Sequence, residues 1–103
     1  MSFPKSVKFL GYTYKIVKAT HETAKAGCSG LFDAEDQLIH IHDHGSNEKL
    51  AETLIHELIH MIDYHFDTGL EETQVHRLSN GVFGVLRANK EIITLLSECN
   101  ERR

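Results

Sequence analysis

Proline occurs once in 103 residues, tryptophan not at all and cysteine twice. With no proline-rich, low-complexity or repeated segment, nothing marks a linker, and the length suits a single domain over 1–103. The two cysteines, Cys28 and Cys99, lie far apart and in no metal-type spacing. They exclude a disulfide framework and read as reduced structural thiols. No apolar run approaches the roughly 18 residues of a membrane span. The start, "MSFPKSVKFLGYTYKIV", lacks the apolar core and small-residue cleavage site of a signal peptide. A cytoplasmic protein is the expectation. Positive charge is also scarce, with 11 Lys and Arg against 15 Asp and Glu, a net charge of -4 and no basic run. That balance disfavours nucleic acid as a direct partner.

Histidine, by contrast, is abundant: there are eight, and all but His21 lie between His40 and His76. The segments around them have legible periods. "VKFLGYTYKIVKAT", Val7 to Thr20, has the β-branched and aromatic content of strands, with Gly11 marking a turn or bulge. "AGCSG" reads as a loop, and "GLFDAEDQLIHIHD" as a hairpin with strands near Leu31 to Asp33 and Gln37 to His42. A long helix follows from Glu48 to about Phe66, with Ser46 or Asn47 as its N-cap. Thr68 and Glu71 have capping-box spacing, which predicts a second helix from near Gly69 past Arg87. Its Val75, Leu78, Val82 and Val85 form a stripe expected to pack on the core. "ANKEIITLLSE" predicts a last helix capped by Asn89. Strands first and helices after make an α+β domain.

Within the long helix stands "LIHELIHMID", Leu54 to Asp63. On an α-helix His56 and His60 share a face one turn apart, close enough for two imidazoles to reach one ion. Glu57 is rotated by about 100° from His56 and about 60° from His60, beside the pair rather than between them. This is the H-E-x-x-H arrangement. Two neutral imidazoles and a third ligand hold Zn2+ with one position open, and a neighbouring carboxylate can take a proton from an activated water and return it to a leaving amine. The surroundings sharpen the reading. Leu54, Ile55, Leu58, Ile59, Met61 and Ile62 predict a helix buried almost all round. A satisfied core cluster is the alternative, but no Lys or Arg lies within a turn of Glu57 to neutralise it.

"TLIHELIHMID" resembles the active-site helix of zincin metallopeptidases. From about Gly30 the layout resembles the small phage- and prophage-type members related to ImmA/IrrE and SprT-like proteins. The resemblance implies a small zincin-like domain, zinc, and peptide-bond hydrolysis with Glu57 as general base and acid. It implies a protein or peptide substrate, transcriptional regulators included. It also implies an edge strand beside the metal, placed here at Gln37 to His42, to which an extended peptide can add.

The third ligand is open among several residues. Metzincins carry a glycine and a histidine where this chain has Asp63 and Phe66, so that class is rejected. Gluzincin-like members supply a glutamate from the next helix, and the candidates are Glu71 and Glu72. A capping box engages Glu71 and leaves Glu72 free. Glu72 also begins a segment resembling the family's E-x-x-A-N, with Val75 and His76 in the last two places. Glu72 is therefore preferred, with His76, Glu71 and Asp63 as alternatives and the helix dipole as the bland reason for an acid there. Asp63 is otherwise an acceptor for a ligand imidazole or a solvated residue near a helix end. His40, His42 and His44 share a strand face and can form an accessory metal site, line the cleft or stand solvated. His21 and His65 have no visible partner, and Tyr12, Tyr14 and Tyr64 read as core or rim. The rival to the peptidase is a non-catalytic zinc-binding domain serving as a regulatory or protein-interaction module.

Overall fold

A computed structural model of the chain describes residues 3–18, 29–42 and 46–99. The strand-rich opening is a hairpin of β1 (Ser6–Phe9) and β2 (Tyr12–Lys18). Both residues of its two-residue turn have positive φ, 52° at Leu10 and 84° at Gly11. That twist matches antiparallel strands, and Gly11 supplies it without a Cβ penalty. A second hairpin joins β3 (Gly30–Asp33) to β4 (Leu38–Ile41), and its turn is held by the Asp36 N–H donating to Asp33 Oδ1. Cys28, His21, His44 and most of "AGCSG" lie outside the described residues.

The sheet order is β1-β2-β4-β3, with β2 and β4 parallel and the two hairpins antiparallel. This corrects the placement of the edge strand at Gln37 to His42. β4 is an interior strand, hydrogen-bonded on both sides, and β3 is the edge. The cause is the crossover: β2 pairs with the second strand of the later hairpin, setting Ile16 beside Ile39, so β3 is pushed to the outside. The alternation of β4 fits an interior place. Ile39 and Ile41 are fully buried on the helix side, so His40 points to the opposite face.

Three helices follow: α1 (Asn47–Phe66), α2 (Glu72–Ala88) and α3 (Lys90–Ser97). Of the two candidate caps Ser46 is the one used, its Oγ accepting the Lys49 N–H. The capping box at Thr68 and Glu71 is not formed. Glu71 is itself the N-cap of α2, in a reciprocal box with Gln74, so the helix starts three residues later than Gly69. Thr68 is diverted because its hydroxyl donates to Asp63 Oδ1. Asn89 sits between α2 and α3, but its side chain donates back to the Val85 carbonyl rather than capping α3.

The core is built from Tyr14, Ile16, Ile39 and Ile41 of the sheet with Leu50 and Met61 of α1. Phe3, Val7, Phe9, Phe32, Leu54 and Leu58 pack around it. His65 finds a partner in this layer: the Tyr14 hydroxyl lies 2.6 Å from its Nε2, with Phe9 and Tyr12 rings around it. Burial and the neighbouring Tyr64 and Tyr12 push the Tyr14 pKa up, so its hydroxyl keeps its proton and donates it to His65. Two burial expectations are corrected. α1 is not enclosed on every side, since Ile62 and Tyr64 reach the surface. In α2 only Val75 of the expected stripe is buried, while Leu78, Val82 and Val85 are exposed. The register of α2 on α1 turns Val75 and Ser79 inward and leaves the other three outside. Cys99 is free and exposed rather than structural. Among the described residues no helix is long and apolar enough to cross a membrane.

Ile39 is fully enclosed between the sheet and α1. Ile39→Ala is expected to cost about 2–4 kcal/mol of unfolding free energy, read from urea denaturation followed by circular dichroism. A loss under about 1 kcal/mol would place Ile39 outside the core.

Candidate metal centre

The site begins with the loop that joins α1 to α2. Asp67 and Gly69 adopt positive φ, 51° and 75°, and reverse the chain. Asp63 Oδ1 holds the reversal by accepting the Thr68 hydroxyl and the Leu70 N–H. These hydrogen bonds, the Thr68 one first, keep the Asp63 carboxyl below the usual range. Asp63 is thus a loop organiser, and its Oδ1 is not available as the acceptor for a ligand imidazole. The loop returns α2 antiparallel along α1. Glu72 comes to His60 and His56, Ser79 comes to His56, and farther along Arg87 pairs with Glu48 at 2.8 Å.

This register brings together the three residues preferred from sequence. Glu72 Oε2 lies 2.9 Å from His56 Nε2, and Glu72 Oε1 lies 3.1 Å from His60 Nε2. One ligand atom from each residue lies within 4.8 Å of the others, in a group that can hold a metal ion. Donors on a tetrahedral zinc with bonds near 2.1 Å stand about 3.4 Å apart, so the spacing of the group is of the order that one ion requires. A helix dipole alone would favour an acid at the first position of α2. It would not aim both oxygens at two imidazoles on another helix.

The alternatives for third ligand fall elsewhere. Glu71, kept as an alternative from the sequence, is engaged as the N-cap of α2 in a box with Gln74 rather than with Thr68. His76 stands near the group, its ring 6.3 Å from that of His56, but its Nε2 lies 3.3 Å from Asn80 Nδ2, the donor to it. His40 points away from the site, on the far face of the sheet.

Glu57 is buried, with 5% of its surface exposed. Burial first, and the negative charge of Glu72 second, push its pKa up to about 7. Edge strand β3 comes very close here. A Cβ on Gly30 would meet Glu57 Oε2, Thr53 Cγ2 and the His40 carbonyl oxygen, each at 2.9 Å. Glycine is what lets the strand approach the carboxylate. The group opens into a cleft of about 800 Å³ floored by α1, with β3 residues Gly30 to Phe32 on one wall and His76, Ser79 and Asn80 of α2 on the other.

Ser79 is a site residue that sequence reasoning missed. It is buried, donates to the His76 carbonyl at 3.0 Å, and its Oγ lies 3.4 Å from His56 Nδ1. As it stands, His56 Nε2–H donates to Glu72 Oε2; when Nε2 turns its lone pair to a metal, the proton sits on Nδ1, and Ser79 Oγ, its own proton committed to the carbonyl, is the acceptor placed for it. A signal existed: Glu72, Val75, His76 and Ser79 follow the i, i+3, i+4, i+7 spacing of one helix face. No protein-family model, curated protein or solved structure matches the chain.

Two outcomes follow from this geometry. Ser79→Ala should weaken zinc binding about 10- to 100-fold in a competition titration against a chromophoric chelator, and unchanged affinity would remove its orienting role. In chelator, Glu57 holds its proton to a higher pH in the folded chain than in the unfolded one. The metal-free protein should therefore lose stability as pH rises from about 4.5 to about 7, by up to about 3 kcal/mol. Glu57→Gln should lack that slope in urea melts taken across the range, and an equal slope in both proteins would contradict it.

Proposed function

We propose that the chain is a zinc-dependent peptidase of the zincin type, with zinc held by His56, His60 and Glu72 and Glu57 acting as general base and acid. The observation that carries this reading is a buried carboxylate, with no basic partner among the described residues, beside a two-histidine, one-glutamate donor group facing an open cleft. A bound zinc would supply Lewis-acid polarisation and bring the pKa of a water down to near 7.

The chain's own residues supply the rest. Glu57, held against β3, takes the proton from the attacking water as the C–O bond forms, and delivers it to the amine nitrogen in the following step, when the peptide C–N bond breaks. Glu72 sets one carboxylate oxygen against each imidazole Nε2, and Ser79 Oγ is placed to accept the Nδ1 proton of His56 when its Nε2 binds the ion. Among the described residues β3 has no strand on its outer side, and an extended peptide can lie along this edge of the cleft by main-chain pairing. The edge strand that the zincin resemblance implies is thus Gly30–Asp33, not Gln37 to His42. A zinc site that only braced the fold would close with a fourth protein donor and would have no use for Glu57.

Glu57→Gln is expected to bind zinc and fold as the wild type does, while cleavage of a mixed peptide library falls about 10²- to 10⁴-fold by mass spectrometry. Full cleavage by that variant would end the mechanism. Zinc affinity should fall far more in Glu72→Ala than in His76→Ala, and the reverse order would transfer the third ligand to His76.

A further inference from the structure

α3 is an eight-residue helix with no buried residue, and its Ile92, Ile93, Leu95 and Leu96 all stand in water. Leu95 and Leu96 are 65% and 60% exposed. On α2, Leu78, Val82 and Val85 make a second exposed apolar stripe at i, i+4, i+7 spacing. The two surfaces match in length, since the stripe spans about two turns and α3 is about 12 Å long. They cannot meet within one chain. Two helices fold back on each other through a loop of about 2–5 residues, and α2 and α3 are separated by Asn89 alone.

We propose that this face is the interface of a symmetric homodimer in which α3 of each copy lies antiparallel on the α2 stripe of the other. The arrangement is isologous and closed, as a two-fold requires. Antiparallel packing sets Leu96 against Leu78 of the partner copy and Ile92 against Val82. It also brings Glu98, at the end of α3, to the end of the stripe where the exposed Arg77 stands, so the rim charges are of opposite sign. The seven apolar residues leave on the order of 600 Å² in water, the top of the range for the largest patch of a monomer. Two such faces bury about 1,200 Å² before any rim is counted, which enters the range of stable interfaces.

The face stands apart from the metal group. At about 100° per residue, Leu78, Val82 and Val85 are centred about 110° around α2 from the ligand Glu72 and about 170° from His76 and Asn80. Breaking the dimer should therefore leave zinc affinity intact, and this separates failure of the dimer from failure of the peptidase reading.

The test is the mass of the full chain in solution, by light scattering and sedimentation from about 1 to 100 µM. The expected result is twice 11.7 kDa. Val82→Glu and Leu96→Glu, both at exposed positions, should each give a monomer with unchanged circular dichroism and zinc titration. Arg77→Glu and Glu98→Arg should each weaken the dimer at least about tenfold, and the two together should restore it. A monomeric wild type at 100 µM would overturn the proposal and assign the face to a different partner. A dimer indifferent to Val82→Glu and Leu96→Glu would overturn this interface, and failure of the double charge exchange to restore it would overturn the antiparallel arrangement.

Discussion

The constraint on which the site depends is a carboxylate with no counter-charge among the described residues. Glu57 is buried between α1 and the edge strand, and the charge acting on it comes from another carboxylate, Glu72. Both effects favour the protonated acid, so an ionised Glu57 is costly there. A cation held between Glu72 and the two imidazoles would reverse the sign of the local field and favour the ionised form of Glu57. Protonation of Glu57 and a bound cation are thus the two ways in which this arrangement of negative groups is reconciled.

That placement is set by a loop of a few residues. Asp63 closes the turn after α1 by accepting from Thr68 and Leu70, and the positive φ of Asp67 and Gly69 gives it room to reverse. The turn fixes the register of α2, which brings Glu72 to the histidines and Ser79 behind His56. Gly30 does the equivalent on the strand side, where any side chain would push β3 away from Glu57. The candidate donor group, Glu57 and the cleft thus rest on a few hydrogen bonds and one glycine outside the H-E-x-x-H segment.

Features that depend on local spacing were legible in the sequence. His56, Glu57 and His60 share one helix, so their relation follows from 3.6 residues per turn. The element order, the Ser46 cap region and the turn at Gly11 are likewise local. Glu72 was reached through the resemblance, which calls for a glutamate from the next helix, and through a capping box that engages Glu71, formed with Gln74 instead of Thr68. The edge strand was not legible, because it depends on β2 pairing in parallel with β4 across a long separation. A strand's own pattern does not say which neighbours it acquires. Thr68 misled for a related reason: its spacing to Glu71 fits a capping box, but Asp63, a turn earlier, competes for its hydroxyl and wins.

The Val75 to Val85 stripe shows how far a helical period can be read. Periodicity identified an apolar face correctly but not what covers it. α2 has three directions to serve. Val75 and Ser79 pack inward, Glu72 and His76 face the cleft, and Leu78, Val82 and Val85 face away from both. A domain of this length has too few elements to cover every side of such a helix, since its sheet and α1 already enclose the core. α3 has the chemistry to cover the remaining side but is tethered too closely to reach it. An apolar stripe beside a helix that fits it, separated by a connection that keeps them apart, is the condition under which a second copy completes what one chain cannot.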